Sequence, residues 1–157
     1  MSMTIKTDLS ALDGFLDQLG DQVGEAIRPA AQAAAQVLYE DVVKNVNAIG
    51  SVTGNLRRSI YQAYSRRNSA DGQKAVYHVS WNAMKAPHGH LVEYGHLQSF
   101  HVYMGKDGNW YTDKSRPLST PRQVAAKPFV RPAMAKFDVA IEAAKTELLK
   151  RLDETLK

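Results

Sequence analysis

Four of the five histidines and one isolated glutamate lie close together in the middle of the chain. The histidines are His88, His90, His96 and His101, and imidazole is a common zinc ligand. Zinc sites place their ligands on one helix face or on paired turns, whereas His88 and His90 flank a glycine in a proline-containing loop. No cysteine or second carboxylate completes a ligand set, and the spacing His-x-x-Glu-x-x-His differs from the zincin motif. We therefore expect no metal site and assign these histidines to surface or intersubunit hydrogen bonds.

Glu93 is a carboxylate inside the apolar run of Leu91, Val92 and Tyr94. Apolar surroundings can raise a carboxyl pKa and make it a general base. Catalysis needs a second positioned group, but the sequence shows no paired carboxylate, no Gly-x-Ser-x-Gly elbow and no phosphate-binding glycine loop. We therefore predict no catalytic residue and no cofactor. A buried salt bridge from Glu93 to Arg57, Arg58 or Arg131 is the simpler interpretation.

Two pairs of arginines flank two tyrosines between residues 57 and 67. Arg57, Arg58, Arg66 and Arg67 surround two tyrosines, a mixture typical of nucleic-acid surfaces. The same residue types are enriched at protein interfaces. Both interpretations stay open at this point, and the candidate interface residues are Arg58, Arg66, Arg67, Arg116 and Arg122.

The composition favours one globular domain with an uneven charge distribution. The 157 residues suit a single domain, contain no cysteine, and include no apolar run near the roughly 20 residues that span a bilayer. The net charge is −4 over residues 1–50, +9 over 51–136 and −1 over 137–157, which sums to the formal +4. The start of the chain lacks the apolar core of a secretory signal. We expect a protein without a membrane anchor that stays where it is made, with a basic middle that binds nucleic acid or the acidic parts of neighbouring copies.

Hydrophobic spacing predicts helices over residues 8–49. Leu9, Leu12, Leu16 and Leu19 predict a short amphipathic helix with Thr7 or Asp8 as N-cap, and the apolar stripe that resumes at Val23 predicts the longest helix. Because proline lacks an N–H and clashes with the preceding turn, we expect a kink or a fresh start near Pro29.

The middle of the chain, residues 56–128, reads as strands and loops. Residues 60–65 and 74–82 predict one hairpin, and residues 99–105 and 110–112 predict a second one. Between these hairpins, Gly95 supplies a positive φ that ends a short helix or turn. Residues 114–128 contain three prolines and predict an irregular surface segment.

The last element predicted is a helix over residues 132–155, with Pro132 as its first residue. The order of helices, strands and helix predicts an α+β fold. In it, a mostly antiparallel sheet of about four strands packs against a long N-terminal helix and a long C-terminal helix.

Three segments, in this order, resemble the tail-completion or head-tail joining family of long-tailed bacteriophages. They are Thr53-Gly54-Asn55-Leu56-Arg57-Arg58-Ser59-Ile60, His90-Leu91-Val92-Glu93-Tyr94-Gly95-His96 and Lys127-Pro128-Phe129-Val130-Arg131-Pro132-Ala133. The alanine-rich helix and the hairpin at Asp107-Gly108-Asn109 extend the resemblance over nearly the whole chain. The motif residues expected to have structural roles are Thr53, Gly54, Leu56, Arg57, Ser59, Ile60, Leu91, Glu93, Gly95, Lys127, Pro128, Phe129, Arg131 and Pro132.

The resemblance implies a structural virion protein without enzymatic activity, assembled in the host bacterial cytoplasm. Such a protein works at the neck, where it completes the tail or joins it to the head. Its implied partners are other neck and tail proteins and neighbouring copies in a homo-oligomeric ring, close to the DNA in the neck. The alternatives left open are a small basic nucleic-acid-binding protein and a hydrolase built on Glu93 and the histidines.

Overall fold

The computed structural model describes residues 10–50 and 54–155, with side chains described for 19–50 and 54–154. It contains four helices and four strands in the described residues, with single 3₁₀ segments at Arg66–Asn68 and Arg131–Lys136. The elements in chain order are α1 (Ser10–Ile49), α2 (Asn55–Ser59), β1 (Ile60–Tyr64), β2 (Tyr77–Trp81), α3 (Gly89–Tyr94), β3 (His96–Met104), β4 (Trp110–Val124) and α4 (Phe137–Thr155). The mixed α+β class predicted from the sequence is confirmed.

Helix α1 runs without interruption for 40 residues and includes Pro29 in its interior. The predicted division into a short helix and a separate long helix is therefore wrong. Ala26 lies three residues before the proline and Ala30 directly follows it. These two alanines are 2% and 7% exposed. Burial of this alanine face stabilises the helix enough to offset the hydrogen bond that proline removes. The predicted N-cap residues lie outside the described part of the chain.

The chain groups into two compact units. Unit 1 comprises residues 1–36, 63–78 and 138–157, and unit 2 comprises residues 37–62 and 79–137. Unit 1 buries Ala26, Ala30 and Ala35 of α1 and Ala140 of α4. In this unit Gly24 and Gly72 approach so closely that a Cβ on Gly24 would lie 3.0 Å from the Gly72 Cα.

The core of unit 2 is apolar and small. Its buried members are Val42, Val46, Ile60, Phe129 and Ala133. Partly buried side chains pack around them, among them Leu56, Val79, Trp81 and Val92. Because these residues come from α1, α2, β1, β2, α3 and the segment before α4, one core ties distant parts of the sequence together.

The strands form two antiparallel pairs rather than one sheet. β1 pairs with β2 and β3 pairs with β4, so the expected single sheet of about four strands is corrected to two sheets of two strands each. Both predicted hairpins are present. The strand predicted over 74–82 is shorter, since β2 begins at Tyr77, and its loop contains an isolated bridge between Ala70 and Lys74.

Strand β4 is longer than the sequence predicted. It continues to Val124, which overturns the prediction that residues 114–128 are irregular throughout. The register changes from Gln98↔Arg122 to Phe100↔Pro117 and then to His101↔Asp113, so β4 carries extra residues at two irregularities. Proline is tolerated in strands at such bulges because no ladder hydrogen bond is required there.

The predicted C-terminal helix begins as a 3₁₀ segment at Arg131–Lys136 with proline in its first positions, and α4 follows from Phe137. This agrees with the expected start near Pro132. None of the helices in the described ranges has a stretch long and apolar enough to cross a bilayer.

Candidate functional site

The carboxylate of Glu93 accepts four hydrogen bonds. Helix α3 places it where only 1% of the residue is exposed. Its Oε2 accepts the backbone N–H groups of Phe129 (2.7 Å) and Val130 (3.0 Å), and its Oε1 accepts the N–H of Arg131 (3.1 Å). These three N–H groups stand at the start of the C-terminal helical segment, where no intrahelical acceptor exists. Glu93 therefore caps that segment from 36 residues away.

The guanidinium of Arg131 completes the contact. Its Nε donates to Glu93 Oε1 at 3.0 Å, its Nη2 donates to the Glu93 backbone oxygen at 2.6 Å, and it lies 5.0 Å from the Tyr94 ring centroid. Burial by itself raises the pKa of the Glu93 carboxyl, but the three backbone N–H groups and the Arg131 guanidinium outweigh burial and lower the pKa below its ordinary value. Glu93 is thus held as a carboxylate, which suits a structural anchor and not a general base.

Two glycines permit this geometry. Gly95 ends α3 with φ 72°, and a Cβ there would lie 2.7 Å from the Val124 oxygen and 2.8 Å from the Ala126 nitrogen. A Cβ on Gly89 would overlap the indole of Trp81. The predicted positive φ at Gly95 is confirmed. Glycine at both positions lets α3 pack directly on neighbouring chain segments.

Phe129 anchors the third motif in the core. It is completely buried, and its ring packs edge-on against Trp81 with centroids 5.5 Å apart. Its carbonyl accepts a hydrogen bond from Asn45 Nδ2 at 3.1 Å, and the nearby Lys127 N–H donates to Val92 O at 2.8 Å. The motif is therefore held by backbone as well as side-chain contacts.

The first motif also serves the core of unit 2. Gly54 adopts φ 71° before α2, and the buried Ser59 hydroxyl donates to the Leu56 carbonyl at 2.6 Å. Ile60 is a core residue, and Leu56 packs against the core cluster. Arg57 is exposed, and Thr53 lies outside the described residues.

The structure thus brings together residues of all three motifs: Leu56, Ile60, Val92, Glu93, Phe129 and Arg131. Of the three arginines suggested as partners of Glu93, Arg131 is the one that forms the ion pair. Leu91 and Pro128 are half-buried, and Pro132 is exposed. Sequence reasoning missed Asn45 and the contact between Trp81 and Phe129. The signal available for Asn45 was an amide placed between Val42 and Val46, both of which are buried.

The candidate interface arginines are all exposed. Arg66 and Arg67 form most of the 3₁₀ turn in unit 1. In unit 2, Arg58 Nη2 donates to Asn55 Oδ1 at 2.8 Å and Arg122 Nη2 donates to Gln98 Oε1 at 2.7 Å, while Arg116 lies in the irregular part of β4.

The histidines do not form a site in the described part of the chain. His88 and His90 are exposed at the start of α3, and His101 is exposed on β3. His96 is half-buried and its Nδ1 lacks a hydrogen-bond partner in the structure. No set of three or more histidine, aspartate and glutamate side chains in residues 19–50 and 54–154 is placed to hold a metal ion.

Unit 1 contains an open cleft of about 550 Å³. Its lining mixes acidic and basic side chains, including Asp21, Glu25, Asp71 and Lys74. The Arg28 guanidinium on its wall lies 4.3 Å from the Tyr64 ring centroid.

The distal half of the β3–β4 hairpin exposes five large apolar side chains. Its tip is ordered by Asp107, which accepts hydrogen bonds from the Asn109 N–H (3.1 Å), Asn109 Nδ2 (2.8 Å) and the Tyr111 hydroxyl (2.5 Å). The Tyr111 and Asn109 hydrogen bonds lower the pKa of Asp107 to about 2. Exposed apolar side chains grouped in this way are typical of surfaces that contact other proteins.

A comparison with known proteins identifies a family. Residues 10–95, more than half of the chain, match the family described as "Bacteriophage HK97-gp10, putative tail-component". This match includes the first motif and the second motif as far as Gly95. No curated protein and no solved structure matches the chain significantly. The chain therefore belongs to the HK97-gp10-like family of bacteriophage tail components.

Proposed function

We propose that this protein is a structural component of the phage neck, where it completes the tail or joins the tail to the head through subunit–subunit contacts. The observation that carries the proposal is the family match, which implies a virion protein that interacts with other phage tail proteins. The neck position itself rests on the resemblance carried by the three motifs.

The chemistry of the motifs supports an architectural role. Glu93 carries the one carboxylate in the motifs, and this carboxylate accepts four hydrogen bonds from Phe129, Val130 and Arg131. A carboxylate that is buried and fully bonded is unavailable to a substrate. We therefore propose that the protein has no enzymatic activity and requires no cofactor.

Particles made without the protein test the proposed position. Electron microscopy of a phage carrying a stop codon in this gene should show filled heads and separate tails of normal length. Joined particles, or an absence of tails, would contradict a role in completing or joining the tail. Supplying the wild-type protein in trans should restore joined particles.

A narrower test concerns the basic surface. Reversing the charge of both Arg66 and Arg67 to glutamate should reduce the yield of infectious particles while leaving the circular dichroism spectrum unchanged, because both side chains are exposed. The control is Lys85→Glu, which reverses the charge of an exposed basic residue outside the predicted interface. A normal yield from the double variant would count against these arginines as interface residues.

The competing function is nucleic-acid binding. Residues 114–136 contain six lysines and arginines and no acidic residue, and Lys114, Arg116, Arg122 and Lys127 are exposed. If this surface bound DNA, affinity for a duplex would fall steeply as salt rises, because phosphate contacts release counterions. Fluorescence anisotropy with a labelled duplex at low salt decides this, since no binding there removes the nucleic-acid model.

A further inference from the structure

The distal half of the β3–β4 hairpin, residues 101–113, here called the arm, exposes large apolar side chains on both faces. The register pairs Val102 with Thr112 and Met104 with Trp110, which places these residues on one face. Tyr103 pairs with Tyr111 on the other face, with ring centroids 5.9 Å apart. The five apolar side chains are 44% to 54% exposed.

This exposure is large for an isolated structural element. If each fully accessible side chain contributes about 200 Å², the arm presents roughly 500 Å² of exposed apolar side-chain surface. A standard protein interface buries about 800 Å² on each partner, and a contact that covers one face of the arm would draw roughly 200–300 Å² of this area from the exposed apolar side chains. A two-stranded hairpin is marginally stable alone in water, and β3–β4 has no third strand within the described residues. Covering the arm would therefore stabilise it.

Hydrogen bonds order the turn at the tip of the arm. The Gly105 N–H donates to Asn109 O at 2.8 Å across the turn. The Asp107 carboxylate joins the same turn to Asn109 and Tyr111 through the hydrogen bonds described above. An ordered tip loses little conformational freedom when it binds, so more of the contact free energy appears as affinity.

Helix α4 carries a surface of matching chemistry. Val139, Glu142, Thr146, Leu149 and Asp153 recur at spacings of three and four residues, and all are exposed. Val139 and Leu149 are 52% and 61% exposed, so the stripe combines apolar contact surface with acidic side chains. Residues 137–155 hold three basic and five acidic residues, net −2, whereas residues 96–124 hold four basic and two acidic residues, net +2.

We propose that the arm of one copy docks on the exposed α4 stripe of a second copy. The apolar tip covers Val139 and Leu149, and the basic base of the hairpin faces the acidic residues of α4. The contact joins two different surfaces, so each copy offers one arm and one stripe, and successive copies can join head to tail into a closed ring. This inference rests on the proposed function, because copies of the chain would meet in such a ring only as part of the phage neck.

Cross-linking in assembled particles tests the docking, and the natural absence of cysteine makes the chemistry specific. A chain carrying Tyr103→Cys and Val139→Cys is incorporated into particles, which are purified and treated with a short bismaleimide. Denaturing gels should show dimers and higher multiples of the chain. Trp110→Cys with Leu149→Cys repeats the test from the opposite face of the arm, in case the first pair does not fold.

The matched control is Met84→Cys with Val139→Cys. Met84 is 92% exposed and lies outside the arm, so this pair should leave the chain monomeric on the gel. Multiples in the control at the level of the arm variants would overturn the proposal, as would monomer alone from both arm variants. A product joining the arm to a different virion protein would also overturn it, because the occupant would then be another partner.

Failure of the proposed function can be distinguished from failure of the docking model. If antibodies find no copy of the protein in infectious particles, the neck assignment fails, and this inference fails with it. If the protein is present but its arm does not cross-link to α4, the neck assignment stands and only the docking model is lost.

Discussion

Replacing Glu93 by glutamine isolates the contribution of the buried carboxylate. The amide has the same shape but one acceptor oxygen, so its NH₂ group must face two N–H donors. If it replaces Oε2, the N–H groups of Phe129 and Val130 lose their acceptor; if it replaces Oε1, both donors of Arg131 lose theirs. A buried donor left without a partner costs about 1–3 kcal/mol.

Two such donors give an expected loss of about 4 kcal/mol in the free energy of unfolding, which agrees with the roughly 3–5 kcal/mol measured when one partner of a buried ion pair is removed. For a chain of this size the melting temperature should fall by about 8–16 °C. The control Glu142→Gln removes an exposed carboxylate paired with Lys145 and should change the stability by less than about 0.5 kcal/mol.

Urea unfolding followed by tryptophan fluorescence measures this loss. In a Trp110→Phe background, Trp81 is the only remaining tryptophan, and it contacts Phe129 beside the substituted carboxylate. A Glu93→Gln variant within about 1 kcal/mol of its parent would refute the assignment of Glu93 as a cap for the C-terminal helical segment.

The pH dependence gives an independent check on the same residue. Because the folded-state pKa of Glu93 is lowered, its contribution to stability is present above the unfolded-state pKa and is lost as the pH falls through the folded-state pKa. The difference in stability between parent and Glu93→Gln should therefore shrink as the pH falls below about 4.3, the ordinary glutamate pKa. A difference that stays constant from neutral pH to pH 3 would contradict the lowered pKa.

Three further predictions concern the core, the end of α3 and the hairpin tip. Phe129→Ala should cost about 3–5 kcal/mol because the ring is completely buried, and Phe129→Leu should cost less because it leaves a smaller cavity; equal and small losses would argue against this packing. Gly95→Ala should destabilise the protein by more than about 1 kcal/mol, since φ is 72° and the new Cβ meets backbone atoms, whereas Gly20→Ala in α1 has open space and should be neutral or stabilising; calorimetry of both variants compares them directly. The Asp107 carboxyl should titrate at about 2 by NMR, and Tyr111→Phe should raise that pKa toward 3.8 by removing the hydroxyl hydrogen bond; an unchanged midpoint would contradict the observed tip geometry.

Local chemistry made several elements predictable from the sequence. A glycine after a short apolar turn predicted the positive φ that Gly95 adopts. The alternation around Tyr103 and Tyr111 indicated the second hairpin. An ion pair at Glu93 followed from the cost of burying an unpaired carboxylate. The choice of Arg131 over Arg57 or Arg58 depended on tertiary placement, which spacing alone does not define.

The errors share a physical cause, which is tertiary contact overriding local preference. Pro29 lies within α1 because burial of Ala26 and Ala30 favours helix on either side of it. β4 accepts Pro117 because that residue lies at a change of register. Bulges and the division into two sheets depend on pairings between distant residues, and neither leaves a periodic mark in the sequence.

The bonds between Glu93 and residues 129–131 have a consequence for the length of chain that lies between them. They fasten the two ends of a 36-residue excursion that includes the whole β3–β4 hairpin. Since the entropic cost of closing a loop rises only slowly with its length, residues can be gained or lost at the hairpin tip with little penalty to the fastened body. A chain with a few residues inserted at the tip should therefore fold with nearly the same stability as the parent, as long as Glu93 still binds residues 129–131.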